Sequence, residues 1–232
     1  MRPLRRDKYP GRICLPIVET TGEKALRAVG EANGLADLIE LRVDYLKTAS
    51  LEPLLAKGKK PLIVTNRRRE EGGRYEGDEK KRLAILREAA ELEADFIDVE
   101  LGSERSLLKE LINHKNGSPI ILSFHDFGRT PSPGELRNLC GRMMGWGAEV
   151  VKIVSFARSF EDNLKVLSLI PYARERKQKI VAFCMGEKGK MSRIFAPLMG
   201  AAWTYASLKR QKASAPGQLT ALELKRIWER LA

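Results

Sequence analysis

The chain has 232 residues, 43% hydrophobic and 31% charged, with a formal net charge of +12. That composition excludes a disordered, collagen-like or disulfide-scaffold protein and leaves room for one sizeable core. No apolar run approaches membrane-spanning length, residues 180–185 being among the longest, and the basic start from Met1 to Lys8 lacks the apolar stretch of a secretory signal.

In chain order, β-rich runs are predicted at residues 12–18, 38–44, 61–67, 96–101, 119–127, 149–156, 179–186 and 203–207. Helical periodicity fills the gaps at 22–33, 51–57, 78–94, 104–114, 133–146, 160–177, 190–199 and 221–231. Helix-start signals stand at Ser103, Ser132-Pro133 with Glu135, and Ser159, while Gly34, Gly58, Gly117 and Gly147 close helices. Eight strand-then-helix units are the count that closes a parallel α/β barrel, a (β/α)8 or TIM barrel. An open doubly wound sheet would advertise a glycine-rich first turn, and the first strand runs instead into Pro16-Ile-Val-Glu-Thr-Thr-Gly22. With no linker or composition shift, residues 1–232 are expected to form a single barrel domain, with no second enzyme fused to it.

Lys152 lies alone in the apolar run 149–155, where β-branched neighbours predict a buried strand. An ammonium buried without a partner tends to lose its proton, and the neutral amine is a nucleophile whose usual target is a carbonyl, giving a Schiff base. Taken alone, a strand-end lysine more commonly packs its stem and reaches water with its head. Its surroundings reverse those odds, because active sites of such barrels gather at the carboxyl ends of the strands. The second strand ends in Glu40, Arg42 and Asp44 at alternate positions, hence on one face, where they must satisfy one another or a ligand. The third ends in Thr65-Asn66-Arg67, and the loop beyond carries Glu71 before Gly72-Gly73, a tight turn able to aim a side chain inward. The fifth ends at His125, placed as a proton shuttle opposite Lys152, whereas His114 closes a helix and is expected on the surface. Arg193 falls early in the helix after the seventh strand, where its fork of donors can clamp a carboxylate. After the eighth strand, residues 209–218 are polar and hinged at Pro216-Gly217, which suits a mobile lid.

Cys14, Cys140 and Cys184 are far apart in sequence and odd in number, which fits free thiols in a reducing compartment such as the cytoplasm. Two histidines and no CxxC or HxxxH spacing give no reason to expect a zinc site. Most lysines and arginines lie on predicted helices mixed with glutamate, as in residues 78–83 and 222–229, so they read as solvated faces. The charge mildly supports an anionic small molecule; neither a nucleic acid nor a membrane is the expected partner.

The fragments Glu40-Leu-Arg42-Val-Asp44, Arg67 with Glu71-Gly-Gly73, Ser123-Phe-His125-Asp-Phe127, Lys152-Ile-Val154, Met185-Gly186 with Ser192-Arg193, and Ala213-Ser-Ala-Pro-Gly-Gln218 together resemble the type I 3-dehydroquinate dehydratases. These are Schiff-base enzymes of the shikimate pathway, and the likeness runs from Arg12 to the C-terminus. It implies a (β/α)8 barrel, usually a homodimer, that needs neither metal nor organic cofactor and converts 3-dehydroquinate to 3-dehydroshikimate and water. By the same resemblance Lys152 is the imine-forming lysine, His125 the general acid–base, and Glu71 the carboxylate that orients the histidine. Glu40, Arg42 and Arg67 would contact the hydroxyl side of the substrate; Arg193, Ser214 and Gln218 would serve its carboxylate and the closing loop. The three arginines would lower the lysine's pKa further by like-charge repulsion. Two positions depart from the family: Asn66, where many relatives have an aromatic residue, and Pro16, where some have a serine. A class I aldolase-like barrel is the alternative, but the Ser-Ala-Pro-Gly-Gln stretch stands where a glycine-rich phosphate cup would be expected. A basic nucleic-acid-binding module fits the inward-facing acid–base set poorly.

Overall fold

The computed structural model describes residues 11–47 and 50–231; the basic start lies outside them. Eight strands lie among the described residues: β1 (Ile13–Ile17), β2 (Leu38–Arg42), β3 (Leu62–Thr65), β4 (Phe96–Glu100), β5 (Ile120–Asp126), β6 (Val150–Phe156), β7 (Lys179–Met185) and β8 (Thr204–Tyr205). All seven ladders are parallel, in the order β7-β6-β5-β4-β3-β2-β1-β8. The ends of that row meet where Ala202 N–H donates to the Ile180 carbonyl at 2.8 Å, just before β8, so the sheet is a nearly closed barrel. The expected fold class is the one observed.

Closure explains why the strands read as continuous apolar runs: both faces are covered. Outward-facing Ile39, Val64, Ile97, Leu122, Ile153 and Ala182 pack under the helices, in the larger core cluster. Inward-facing Cys14, Leu38, Ile63, Phe96, Ile121, Val150 and Trp203 fill the barrel interior from below. Two residues further along several of these same strands the inward positions become polar: Glu40, Thr65, Asp98, Ser123 and Lys152, all buried. Period-two alternation therefore delivers a packed floor and a charged upper layer from one pattern.

The helices are α1 (Gly22–Ala32), α2 (Leu51–Lys57), α3 (Glu79–Glu91), α4 (Arg105–Asn113), α5 (Pro133–Gly145), α6 (Glu161–Leu167), α7 (Leu169–Glu175), α8 (Lys190–Leu198) and α9 (Ala221–Leu231). The Ser132–Glu135 start of α5 forms a full capping box with Pro133 in its first turn. The long helix expected at 160–177 is two helices. Pro171 supplies no N–H, and its ring would clash with the Leu167 carbonyl four residues back, so the chain restarts at Ser168. Ser103 and Ser159 are not caps: Glu104 and Phe160 hold those positions without side-chain bonds, and the Ser103 hydroxyl is committed to Arg82. Gly117 and Gly147 adopt left-handed backbone; Gly34 and Gly58 do not.

Candidate active site

At the carboxyl ends of the strands a cleft of about 460 Å³ is lined by Glu40, Arg42, Arg67, Glu71, His125, Lys152, Arg193, Ser214 and Gln218, all nine residues singled out from the sequence. Phe127, Val154, Phe183, Met185 and Tyr205 supply apolar walls.

Lys152 is the centre. It stands opposite Ser123 in the β5–β6 ladder and is 4% exposed. Its ammonium is not unpartnered, contrary to the premise drawn from the sequence. Nζ donates to Asp98 Oδ2 at 2.8 Å and to Glu40 Oε1 at 3.3 Å, and lies 4.4 Å from the centre of the Tyr205 ring. Arg67 shares the same anion, its Nη2 reaching Asp98 Oδ1 at 2.7 Å while Nη1 donates to Ser123 Oγ at 2.7 Å and stands 3.1 Å from Glu100 Oε1. Burial opposes ionisation of Asp98, but Arg67 and Lys152 together hold its carboxyl well below the usual range.

Across the cleft, Glu71 Oε2 accepts both the backbone N–H and Nδ1 of His125, each at 3.0 Å. A proton on Nδ1 satisfies that arrangement and leaves the Nε2 lone pair free for chemistry. Burial pushes His125 well below its usual pKa, with Arg67 and Lys152 acting in the same direction. Burial lifts Glu71 to about 7, while Arg67 pulls it down. A neutral imidazole beside a reluctant carboxylate is a base that can take a proton and give it back. Gly72 is what permits the approach: it is left-handed at φ 77°, and a Cβ there would sit 2.2 Å from Phe127 Cζ.

Arg42 does not pair with Glu40. The strand ends at Arg42, and a 3-10 turn over Val43–Tyr45 folds Asp44 back, so its carboxylate takes Nε and Nη2 of Arg42 at 2.8 and 2.7 Å. Asp44 is therefore not on the strand face; it accepts Arg74 N–H at 3.0 Å as well, tying β2 to the loop after β3. Glu40 spends its carboxylate on Thr65 and Lys152.

Arg193, in the first turn of α8, is 1% exposed, and its Nε and Nη2 find no hydrogen-bond partner among the described residues. The guanidinium lies 4.3 Å from the centre of the Phe183 ring, and burial lowers its pKa to about 10. A buried cation with free donors is a receptor for an anion. Gln218 Oε1 accepts Ser214 N–H at 2.7 Å, closing the loop on itself, and Gly186 N–H donates to the Pro216 carbonyl at 3.1 Å, seating the loop on the end of β7. Asn66 and Pro16, the two departures, do not line the cleft: Asn66 donates to the Arg82 carbonyl, and Pro16 is buried in the β1–β2 ladder.

Asp98 and Glu100 went unnoticed in the sequence. The signal was available, since Phe96-Ile-Asp-Val-Glu100 places acids at alternate positions of an apolar strand, the same pattern read at Glu40 and Arg42. Tyr205 carried no such signal.

Fold and site together define a barrel enzyme that gathers a buried amine, an imidazole–carboxylate pair and an unpaired guanidinium in one cleft. The chain belongs to the type I 3-dehydroquinase family, whose model matches residues 13–231. The 3-dehydroquinate dehydratase of Methanocaldococcus jannaschii is 39% identical over 220 residues, covering 93% of this chain and 97% of that one. The Pyrococcus abyssi 3-dehydroquinate dehydratase is 41% identical over 192 residues, 83% of this chain and 86% of its own. Among solved structures, the type I 3-dehydroquinate dehydratase of Clostridium difficile with covalently modified comenic acid superposes with a TM-score of 0.86 at 27% identity, covering 95% of this chain and 92% of that one.

Proposed function

We propose that the chain is a 3-dehydroquinate dehydratase, a hydro-lyase that works through an imine on Lys152. The observation that carries this reading is the placement of the Lys152 amine in one cleft with the His125–Glu71 pair and the unpaired Arg193. The Lys152 ammonium passes a proton to His125 Nε2, its freed lone pair attacks the substrate ketone carbon, and the carbonyl oxygen leaves as water with one proton from Nζ and one returned by His125, forming the iminium. An iminium is a stronger electron sink than a ketone, so His125 Nε2 can take the proton from the neighbouring carbon to give an enamine. The enamine then expels the β-hydroxyl, which departs as water with a proton from His125. Water hydrolyses the resulting iminium, releasing 3-dehydroshikimate and restoring the amine. Acid–base help of this kind contributes roughly two to four orders of magnitude.

Arg193, with Ser214 and Gln218 on the closing loop, takes the substrate carboxylate; Glu40, Arg42 and Arg67 bind the hydroxyl side. No aldolase-like phosphate cup is needed for this assignment, and the relatives named above support the substrate. Glu71 keeps the His125 ring oriented with Nε2 toward the substrate. The enzyme acts as a homodimer, as the family resemblance implies, and in the cytoplasm, where three buried free thiols fit a reducing compartment. Among the described residues no helix is long and apolar enough to cross a membrane.

The test is intact mass after incubation with 3-dehydroquinate and sodium borohydride, with Lys152→Ala in parallel. A ligand adduct on the wild type that is absent from the folded variant is expected. No adduct and no rise in enone absorbance with folded wild-type protein sinks the assignment, and phosphosugar aldol substrates become the next to try.

A further inference from the structure

β3 leaves the sheet at Thr65, the last residue with ladder partners on both sides. The next residues, Asn66, Arg67 and Arg68, have no strand pairing in the barrel, yet they begin the segment that delivers both Arg67 and Glu71 to the cleft. Something other than the sheet must hold them.

The loop's own bonds supply part of it, Tyr75 N–H donating to the Arg67 carbonyl at 3.3 Å and Gly73 N–H to the Arg68 carbonyl at 3.0 Å, and Arg82, on α3, ties the segment to the barrel. Its side chain is buried, and each of its N–H bonds has its own acceptor. Nε and Nη2 fork onto Glu79 at 2.8 and 2.9 Å, and Nη2 also reaches Ser103 Oγ at 2.8 Å. Nη1 donates to the Asn66 carbonyl at 2.8 Å and to Glu100 Oε2 at 2.6 Å. The other oxygen of Glu100 accepts the Arg68 backbone N–H at 3.0 Å and faces Arg67 Nη1 at 3.1 Å. The chain is thus held immediately before and immediately after Arg67, by Arg82 on one side and by the carboxylate Arg82 grips on the other. The loop has no slack to absorb an error, since a Cβ on Gly73 would lie 1.9 Å from the Arg67 carbonyl oxygen.

We infer that Arg82, which does not itself line the cleft, is a positioning residue for the reaction, fixing through Asn66 and Glu100 where Arg67 and Glu71 stand. Arginine is required because a lysine offers three donors from one point and cannot serve Glu79, Ser103, Asn66 and Glu100 together. A role confined to stabilising the barrel would leave the folded molecules with normal kinetic constants. A positioning role changes the constants themselves.

The experiment rests on the dehydratase reading and uses the full chain with 3-dehydroquinate as substrate. Arg82→Lys is expected to lower kcat/KM on the order of 10- to 100-fold, with KM raised, in protein whose near-ultraviolet circular dichroism is native. In an Arg67→Lys background the same change is expected to cost clearly less than it does alone, because part of its effect runs through Arg67. Kinetic constants within about twofold of wild type, with only a lower melting temperature, or full additivity with Arg67→Lys, overturn the inference. Should Arg82→Lys not fold, Glu79→Gln decides. It loosens the partly exposed side of the clamp and is expected to raise KM by about two- to fivefold; an unchanged KM overturns the inference. Wild-type protein that does not turn over 3-dehydroquinate sinks the dehydratase reading; wild-type turnover with unaffected variants sinks only this one.

Discussion

Replacing His125 by Asn separates two titrations that offset each other in the wild type. Burial lifts Glu71 from 4.5 to about 7. Between those values the folded protein holds a proton that the unfolded chain has released, so stability falls as pH rises through the window. At about 1.4 kcal/mol per pH unit, the Glu71 contribution amounts to about 3 kcal/mol. His125 acts with the opposite sign. Its folded pKa lies well below 6.5, so below 6.5 the unfolded chain takes up a proton that the fold refuses, and stability drops as pH falls. Where the two windows overlap below 6.5, the slopes oppose each other and the wild type changes less than either group alone would make it.

His125→Asn removes the ring but keeps the backbone N–H that Glu71 accepts. Urea unfolding of variant and wild type at pH 4.5, 5.5, 6.5 and 7.5 measures the difference, in which titrations common to both proteins drop out. The variant is expected to lose stability relative to wild type as pH rises towards 6.5, because the opposing His125 slope is gone. Glu71→Gln is expected to show the mirror image, gaining relative stability as pH rises. A difference that stays constant with pH in both variants refutes the account of burial-shifted partners.

Asp98→Asn leaves two buried cations with Glu40 at 3.3 Å and Glu100 at 3.1 Å as their remaining anions; a destabilisation of about 3 kcal/mol in urea unfolding is expected, and an unchanged midpoint counts against the shared-anion geometry. Gly217→Ala forces a Cβ to within 2.1 Å of the Gly186 carbonyl oxygen at φ 72°, so KM should rise about tenfold with little change in melting temperature, and a normal KM would show that the loop need not seat there. Arg193→Lys keeps the charge and loses the fork, and is expected to raise KM about tenfold with kcat nearly unchanged, whereas a selective fall in kcat would move Arg193 into transition-state stabilisation.

Much of this site was legible because barrel strands alternate strictly and charged residues inside apolar runs stand out. Lys152, Glu40 and His125 were found that way, and their common cleft follows from parallel closure. What escaped depended on partners contributed by distant strands. The sequence showed a lysine among β-branched residues and no acid within reach along the chain; Asp98 lies 54 positions away and Glu40 112. The backbone turn that removes Asp44 from the strand face was equally invisible, because alternation is a valid inference only while the chain remains extended. The split of the helix at Ser168 was readable in principle from Pro171, but the apolar period continues across it and masks the break.

Under the proposed function, the placement of the carboxylates would let a chain with a net charge of +12 select one anionic ligand. Lys152 and Arg67 share Asp98, Arg67 also faces Glu100, and Arg42 is neutralised by Asp44, so the side of the cleft built from β2 to β6 has its cations already paired. Arg193 enters from α8 with no carboxylate to meet it. Surface charge is screened within about a Debye length, whereas an unpaired guanidinium in a low-dielectric cleft is not. Under the proposed function the substrate's anionic group would be drawn to the Arg193 end, leaving the rest of the molecule to lie along the paired side, over the amine. Orientation follows from where the compensating charges are missing, and the net charge of the chain contributes little to it.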